Sequence, residues 1–400
     1  MKILILTHRA LFPQNGGYPI VVYNTIKGLL ALGHTVTLIS LDEKQVTDRH
    51  YEADNILDSI TYRHCSVNTD IGFFKAFISL FTAAVPFIDK YFDERADKVL
   101  ADELRNNNYD IVQFEGLFVT PYLNTVKKHS KAKILYRAHN IEHQVWQRIA
   151  QRKADPFKKI YLLLLAKRIK AFEINQLSRF DGIIAFTDQD KNAMIGYGTK
   201  APVEILPISI ELNKYQPCTE KTEFPSLFFL GSLGWMPNLE GIEWFIDNFH
   251  ADLTEGDLRV RFYLAGNDIP ETFDDYEVPG KIYIQGEVDD ALEFVNSKAI
   301  MIVPLLSGGG MRVKIVEGMA MQKCIISTSL GAEGIDYTHG QNIIIANTRT
   351  EFFNAIKRCI ADEHYCRRIG ENARQLVEER HNVTAVTTRL IGYYSQLLKA

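Results

Sequence analysis

Short, uninterrupted apolar segments alternate with helical segments along most of this 400-residue chain. The first apolar segments are residues 3–6 and 35–40, and between them residues 18–32 have helical spacing that ends at Gly33. Strands that are apolar on both faces and joined by helices are typical of parallel sheets covered by helices on both sides. The alternation therefore predicts an α/β protein with doubly wound sheets.

The pattern starts again in the second half, which divides the chain into two domains. Further strands are predicted at residues 111–114, 134–137, 183–186, 226–230, 261–265, 282–285, 299–304, 324–327 and 342–345. Residues 206–225 are polar and contain three prolines, as a linker does. We expect two Rossmann-like domains, residues 1–205 and 206–381, facing each other across a cleft, with a final helix at 382–400 packing back on the first domain.

The composition and the opening residues argue against several classes of protein. A net charge of −4, from 45 basic and 49 acidic residues, gives no reason to expect a nucleic-acid partner. The opening MKILILTH lacks the pattern of a signal peptide. The sequence also has no run of 18 apolar residues, the length that could span a membrane. Five scattered cysteines without close ligand spacing predict reduced thiols. We expect a cytoplasmic protein, either free or peripheral at the inner face of the membrane.

The glycine-rich stretch at residues 303–328, VPLLSGGGMRVKIVEGMAMQKCIIST, is the most informative motif. It predicts a strand, a flexible loop at residues 307–310, and a helix whose first turn carries Arg312 and Lys314. Backbone N–H groups at such a helix N-terminus suit an anion such as a diphosphate. The two cations oppose the helix dipole unless an anion binds there. Lys314 and Glu317 share one helix face, so one could hold a phosphate while the other accepts from sugar hydroxyls.

Candidate site residues also follow the N-terminal strands. Gly16 and Gly17 lie between the first strand and a helix, without the G-x-G-x-x-G of a nicotinamide-binding fold, and could be a phosphate contact or only a tight turn. His139 follows the strand at residues 134–137 and could donate to a sugar or a phosphate. Glu115 ends another strand and could contact the acceptor. The alternative for both side chains is a structural role.

Three segments raise the question of other ligands. Residues 72–92 are rich in Phe, and residues 148–170 are basic and contain an apolar run, so either could lie on a bilayer. The alternative is two ordinary helices packed on a sheet, which we favour slightly for residues 148–170. Asp188 and Asp190 match the D-x-D of metal-dependent transferases, but Asp at a helix start is more simply a cap. No metal site is predicted.

Taken together, these motifs resemble the retaining glycosyltransferases of the GT-B fold, group 1, family 4. The segments that carry the resemblance are residues 1–40, RAHNIEH at residues 137–143, FLGSLGWMPNLEGIEWF, YLAGN, IQGEVDD, and the glycine-rich motif through STSLGAEGI. Their order and spacing cover nearly the whole chain. It is the combination that makes the match specific.

The resemblance implies an activity and a set of site residues. A sugar would pass from a UDP-, GDP- or ADP-linked donor to a glycan or lipid-linked acceptor in polysaccharide or glycoconjugate biosynthesis, with no metal or other cofactor. The catalytic residues would be His139, Arg312 and Lys314. The donor-binding residues would be Gly16, Gly17, Gly286, Glu287, Val288, Ser307, Gly308, Gly309, Gly310 and Glu317. Among these, the backbone at residues 286–288 would meet the base and Glu317 the ribose.

Two positions depart from the family pattern. Many members carry an Arg and a Lys after the first strand of the second domain, whereas residues 231–238 contain neither. Many also carry two glutamates in the glycine-rich motif, but Gly309 occupies the earlier position. Either Arg312 and Lys314 have taken over the phosphate-binding charge, which we favour, or donor turnover has been lost. One alternative is a non-catalytic nucleotide-sugar-binding subunit, which the missing cations would support. Another is a sugar-nucleotide epimerase, which shares the two-domain architecture.

Overall fold

The protein, described here from a computed structural model, forms two compact units. The structure describes residues 1–12, 16–42, 56–68, 85–152, 155–218, 220–256 and 258–400. The N-terminal unit comprises Met1–Ser209 and Val383–Ala400, and the C-terminal unit comprises Ile210–Asn382. Each unit is built on one parallel sheet, which confirms the predicted fold class of two doubly wound α/β domains.

The N-terminal sheet has seven parallel strands in the order β3-β2-β1-β4-β5-β6-β7. The strands are β1 Lys2–Thr7, β2 Thr35–Asp42, β3 Thr61–Ser66, β4 Ile111–Glu115, β5 Lys133–Arg137, β6 Gly182–Ala185 and β7 Val203–Ile205. The central strands β1 and β4 are almost entirely buried because helices cover both faces of the sheet. The chain reverses its direction of winding between β1 and β4, and ligands of such sheets bind beside the carboxyl ends at that point.

Within the described residues of the N-terminal unit, seven helices lie between these strands. They are α1 Gly17–Ala31, α2 Pro86–Asp89, α3 Glu94–Asn106, α4 Leu123–His129, α5 Glu142–Arg152, α6 Pro156–Leu177 and α7 Asp188–Gly196. Local chemistry fixes where several begin. Asp155 accepts from the backbone N–H groups of Phe157 and Lys158 at 2.8 and 3.1 Å, and Pro156 occupies the first position of α6.

The C-terminal sheet has six strands in the order β10-β9-β8-β11-β12-β13. The strands are β8 Glu223–Leu230, β9 Arg261–Ala265, β10 Ile282–Gly286, β11 Lys298–Val303, β12 Cys324–Ser327 and β13 Ile344–Ile345. The helices between and after them are α8 Met236–Thr254, α9 Ala291–Ser297, α10 Val313–Ala320, α11 Arg349–Ala361 and α12 Glu363–Arg380. All strand pairs are parallel, so the loops that follow β8, β9, β10 and β11 open at one edge of the sheet.

The last helix, α13 at Val383–Lys399, belongs to the N-terminal unit. It packs so closely on α1 that a Cβ at Gly28 would collide with the Thr387 hydroxyl. The Tyr393 hydroxyl accepts from the Ile183 N–H at 3.1 Å and donates to the Pro202 carbonyl at 2.6 Å. The end of the chain thereby completes the core on the β6–β7 side of the sheet.

Three local features differ from the sequence-based expectation. Strands β3 and β7 were not predicted. Both are edge strands, which are often short or polar: β3 (TYRHCS) is polar and β7 has only three residues. Strand β8 begins at Glu223 rather than at residue 226. Residues 206–225 are not a free linker: the Ile210 N–H donates to the His381 carbonyl at 2.9 Å, and Tyr215 is buried.

Replacing Tyr393 tests the attachment of α13. Tyr393→Phe should lower the free energy of unfolding of the N-terminal unit by about 1 kcal/mol, because the Ile183 N–H and the Pro202 carbonyl, which also bond to each other at 3.0 Å, each lose their second partner. Urea denaturation followed by tryptophan fluorescence measures the change. The control Tyr161→Phe alters a half-exposed tyrosine of α6 and should leave stability within about 0.5 kcal/mol of the wild type. Equal stability of the two variants would contradict this role of α13.

Candidate functional site

The glycine-rich loop of the C-terminal unit runs from the end of β11 to the start of α10 and is held against α8. The Ser307 hydroxyl donates to Glu240 Oε2 of α8 at 2.7 Å. A Cβ at Gly241 would lie 2.6 Å from the Pro304 carbonyl oxygen, so only glycine allows α8 to approach the loop this closely. The loop is therefore a built structure at the carboxyl edge of the sheet.

Arg312 shapes this loop from within. It is the N-cap residue of α10, one position before the helix, and its side chain is 7% exposed. Its Nη1 donates to the carbonyls of Gly309 and Gly310, the latter at 2.8 Å. The guanidinium also lies 5.2 Å from the ring centre of Trp235. These contacts turn the side chain under the loop, so loop geometry is the role that this arrangement supports most directly.

Lys314 extends in the other direction, over the segment that follows β8. Its Nζ donates to Asn238 Oδ1 at 3.1 Å and lies 4.0 Å from the ring centre of Phe229. A Cβ at Gly231 would collide with this Nζ atom. Burial, and secondarily the charge of Arg312, lower the pKa of Lys314 to about 7. The ammonium group is thus desolvated at the carboxyl edge of the sheet, where an added anion would restore its charge.

Glu317 lies one helical turn beyond Lys314 and is held by a tyrosine. The Tyr215 hydroxyl donates to Glu317 Oε1 at 2.6 Å. Burial raises the pKa of Glu317, while Tyr215, Lys214 and Lys314 oppose that rise. The hydrogen bond fixes the carboxylate with one oxygen engaged, and such a group can accept from a vicinal hydroxyl pair.

The ends of β9 and β10 form the other side of this edge. Gly286 has a φ of +65°, and its carbonyl accepts from the Gly266 N–H at 2.8 Å. The Asn267 side chain donates to Glu287 Oε1 at 3.2 Å. Strands β9 and β8 lie between β10 and β11, so this turn and the glycine-rich loop are about 14 Å apart at three strand spacings. The turn after β10 and the Lys314 ammonium thus lie at the same edge of the sheet.

His139 and Glu115 form the corresponding centre of the N-terminal unit. The Glu115 carboxylate, completely buried, lies 2.7 Å from His139 Nε2 and 3.5 Å from Arg137 Nη1, and it accepts from Gln113 at 2.5 Å. The direct acceptor contact expected of Glu115 conflicts with this burial. Its oxygens are engaged inside the protein, and the geometry supports a role in positioning His139.

The charges of this centre follow from its surroundings. Burial raises the pKa of Glu115, but the Arg137 guanidinium and His139 outweigh it, so the net pKa is lowered and Glu115 is ionised. Burial lowers the pKa of His139, with Glu115 opposing. The His139 side chain is 11% exposed, and a neutral imidazole can form hydrogen bonds with hydroxyl groups. The alternative of a cationic contact to phosphate is disfavoured.

Three residues not assigned from the sequence complete this centre. The rings of Tyr18 and His139 are 4.3 Å apart, and the rings of His8 and Tyr18 are 4.4 Å apart. Gly116, with a φ of +87°, would place a Cβ about 4 Å from all three side chains. Because these residues follow β1 and β4, they lie at the point where the winding of the sheet reverses. Their position after the two central strands was the signal that could have found them.

Gly16 and Gly17 begin α1 in the same unit. Gly16 is the N-cap residue with a φ of +111°, and apart from its chain neighbours none of the described residues lies within 4 Å of the position where its Cβ would be. The remaining donor candidates, Gly286 through Glu317 in chain order, lie in the C-terminal unit.

Two other groups contain residue types that can bind metal ions, and the structure shows where each group lies. The thiols of Cys324, Cys359 and Cys366 lie within 4.8 Å of one another in the C-terminal core, so the description of the cysteines as scattered does not hold in three dimensions. All three are buried. Asp190 accepts from the Thr187 hydroxyl at 2.8 Å, and Thr187 caps α7, as expected if D-x-D is a helix start.

The chain belongs to glycosyltransferase family 4. The model of that family matches residues 15–214, half of the chain, and the model of group 1 glycosyl transferases matches residues 224–362. The predicted family membership is confirmed. A curated relative is an uncharacterized 44.6 kDa protein in the cps region of Klebsiella pneumoniae, 23% identical over 95% of this chain and 96% of that protein.

Solved glycosyltransferase structures share the fold over their full length. Sucrose-phosphate synthase from Thermosynechococcus elongatus matches with a TM-score of 0.73 at 15% identity, covering 100% of this chain and 99% of that one. TarM from S. aureus, in complex with UDP, α-GlcNAc-glycerol and fondaparinux, gives 0.70 at 10% identity over 98% and 99%. HepE from Anabaena, in complex with UDP-glucose, gives 0.65 at 16% over 99% and 100%. The fold is therefore GT-B.

The lowered pKa of Lys314 predicts that donor binding takes up a proton. UDP-glucose has no phosphate that titrates near neutral pH, and its diphosphate would raise the pKa of Lys314 above the value of about 7 in the free protein. Affinity should then fall as pH rises above 7, by up to about tenfold per pH unit. Calorimetry at pH 8 in two buffers of different ionisation enthalpy measures the proton uptake.

The variant Lys314→Met is the control for this experiment. It should bind more weakly and show no proton uptake. Uptake that persists in Lys314→Met, or a wild type whose affinity does not change between pH 7 and pH 9, would assign the anion to another group.

Proposed function

We propose that this protein is a retaining glycosyltransferase that moves a sugar from a nucleoside-diphosphate sugar onto a glycan or lipid-linked acceptor. Family membership supports transfer of a sugar in general. The observation that carries the specific proposal is the desolvated Lys314 ammonium, which lies over the segment that follows β8. A cation held in a poorly hydrated place in the first turn of a helix is best satisfied by a phosphate.

The position of Lys314 answers the main departure of this sequence from the family pattern. Residues 231–238 carry no cation, but Lys314 Nζ reaches this segment from α10, over Gly231 and against Asn238. The charge is thus supplied from a different element to the place where the family pattern has it. This supports relocation of the phosphate-binding charge over its loss, and with it turnover over a purely binding role.

The donor is proposed to lie along the carboxyl edge of the C-terminal sheet. The base would meet the backbone at residues 286–288, and the ribose hydroxyls would donate to Glu317. The diphosphate would contact Lys314 and the backbone at residues 307–310. The spacing of about 14 Å between the β10 turn and the glycine-rich loop gives room for a base, a ribose and two phosphates.

The proposed chemistry relies on stabilising the leaving group. The bond between the anomeric carbon and the diphosphate oxygen breaks, the acceptor oxygen bonds to the same face of that carbon, and the acceptor proton passes to the departing phosphate. Lys314 and the loop N–H groups neutralise the charge that develops on the diphosphate. Because they supply this charge, we propose that no metal is needed. Gly309 in place of a glutamate fits a mechanism without an enzymic nucleophile.

His139 is proposed to orient the transferred sugar. As a neutral imidazole it would hydrogen-bond to a sugar hydroxyl, while the ionised Glu115 holds the ring in place at 2.7 Å. Arg137 balances the buried carboxylate at 3.5 Å. Glu115 is therefore a positioning residue, and its loss would act through His139.

Replacing Lys314 tests the proposed function. Lys314→Met should lower kcat for sugar transfer by about 10²–10³, the usual cost of one donor to developing charge. The donor is first identified from the rise in melting temperature over UDP-, GDP- and ADP-sugars. The matched control Lys323→Met removes another buried lysine of the same unit, whose pKa burial lowers to about 8, and should keep kcat near the wild-type value.

The same assay separates the other candidate functions. A wild type that binds a nucleotide sugar without transfer or hydrolysis would be the non-catalytic subunit. Conversion of the donor into a second nucleotide sugar, without an acceptor, would identify an epimerase. Equal kcat in Lys314→Met and the wild type would remove this residue from the reaction.

A further inference from the structure

The first half of α6 presents a large apolar surface to solvent. Phe157 is 83% exposed and Ile160 is 65% exposed. Five large apolar side chains are exposed within two turns, namely Phe157, Ile160, Tyr161, Leu163 and Leu164. Single exposed apolar residues are common, but a contiguous group on one short stretch marks an interaction surface. We call this group the α6 apolar face.

Basic side chains adjoin the α6 apolar face. Lys158, Lys159, Lys167, Arg168 and Lys170 all lie on the same helix. Within Pro156–Leu177, all of which the structure describes, Glu173 is the one acidic side chain. It is buried, 2.6 Å from His143 Nδ1. Within Pro156–Leu177, the exposed part of the helix therefore combines apolar side chains with interspersed basic ones and carries no acidic side chain.

The opposite side of α6 already has its packing partners. Ile169 is completely buried, and Leu165 and Phe172 pack with Phe118 and Trp146 in a small separate core. Phe157, Ile160 and their exposed neighbours belong to none of the hydrophobic clusters of the described residues. The α6 apolar face is thus not the buried stripe of this helix, which the helix satisfies elsewhere.

Aromatic contacts connect this region to the His139 centre. The rings of His8 and Phe118 are 4.7 Å apart, those of Phe118 and Phe87 are 5.4 Å apart, and those of Phe87 and Trp146 are 4.6 Å apart. Trp146 lies on α5, which packs along α6. Helix α6 is therefore connected, through α5 and this series of aromatic contacts, to the residues around His139.

We propose that the α6 apolar face and its lysines dock the N-terminal unit on a bilayer that contains anionic lipids. Phe157, Ile160 and Leu164 would enter the boundary between headgroups and acyl chains, while the lysines meet lipid phosphates. Charge complementarity favours this occupant, because an apolar protein partner would not require the adjacent basic side chains. Docking itself is independent of the donor site. That it presents a lipid-linked acceptor to His139 rests on the proposed function.

Residues 148–170 had two interpretations, a helix packed on the sheet or a helix lying on a bilayer, and this proposal changes which of them we favour. The sequence slightly favoured an ordinary helix packed on the sheet, because apolar side chains usually indicate burial. The exposure of Phe157 and Ile160 overturns that preference for the first half of α6. In the other segment with this prediction, residues 72–84 lie outside the described residues. For the part of the chain that the structure describes, no helix is long and apolar enough to cross a bilayer.

Vesicle binding tests the proposal with the full chain and no donor present. The wild type should sediment with vesicles of phosphatidylcholine and phosphatidylglycerol, and much less with phosphatidylcholine alone or at high salt. Phe157→Glu combined with Ile160→Glu should lower the partition coefficient more than tenfold. Lys158→Gln combined with Lys167→Gln should lower it roughly 25-fold, at about fivefold per lysine near an anionic surface.

Leu398→Glu is the matched control, because this leucine of α13 is 41% exposed outside the α6 apolar face. It should bind vesicles as the wild type does. All variants should keep the shift in melting temperature with the nucleotide sugar, so failure of docking and failure of the donor site are separate results. A wild type that ignores anionic vesicles, or a Phe157→Glu/Ile160→Glu variant that still binds them, would overturn the proposal. A wild-type dimer that this variant dissociates would assign the face to a second copy of the chain.

Discussion

The contact of the Lys314 ammonium with the segment after β8 organises the C-terminal site. Lys314 Nζ reaches Asn238 at 3.1 Å and lies directly over Gly231, whose lack of a Cβ makes room for it. The cost of this position is desolvation, which lowers the pKa of the lysine to about 7. A bound anion would stabilise this ammonium group, because the anion replaces the solvation that the group loses on burial. The neighbouring Arg312 is used differently, because its guanidinium donates to the loop carbonyls and holds the shape of the loop.

The N-terminal site solves the opposite problem of holding a neutral group. Burial pushes His139 toward the uncharged form, while the ionised Glu115 holds it by a 2.7 Å contact and is itself balanced by Arg137. The result is a fixed imidazole at the point where the winding of the sheet reverses. Such a group suits hydroxyl recognition. Under the proposed function, the charged centre would serve phosphate departure and the neutral centre would orient the sugar.

The sequence was informative wherever the pattern was local and strong. Buried strands such as Arg261–Ala265 and Cys324–Ser327 were predicted with their observed bounds, because continuous apolar runs between turn signals are hard to misread. The edge strand Thr61–Ser66 was missed, since half-exposed edges carry polar residues. Membership in the family and the place of the glycine-rich motif were likewise evident from residue order.

What the sequence could not give are distances between residues far apart in the chain. Nothing local says that Lys314 meets Asn238, that Tyr215 holds Glu317, or that Glu115 is sealed behind His139. The expectation that Glu115 would touch an acceptor came from its place at a strand end, and full burial is a property of the packed unit. The exposure of Phe157 is a further example, because the apolar residue pattern of this segment by itself favours a buried helix.

The most direct test of the central claim is a crystal structure of the protein with UDP or another nucleoside diphosphate. The account predicts a diphosphate oxygen about 2.7–2.9 Å from Lys314 Nζ, with the backbone at residues 307–310 around the same group. A nucleotide bound elsewhere, with Lys314 still engaged by Asn238 alone, would contradict the account.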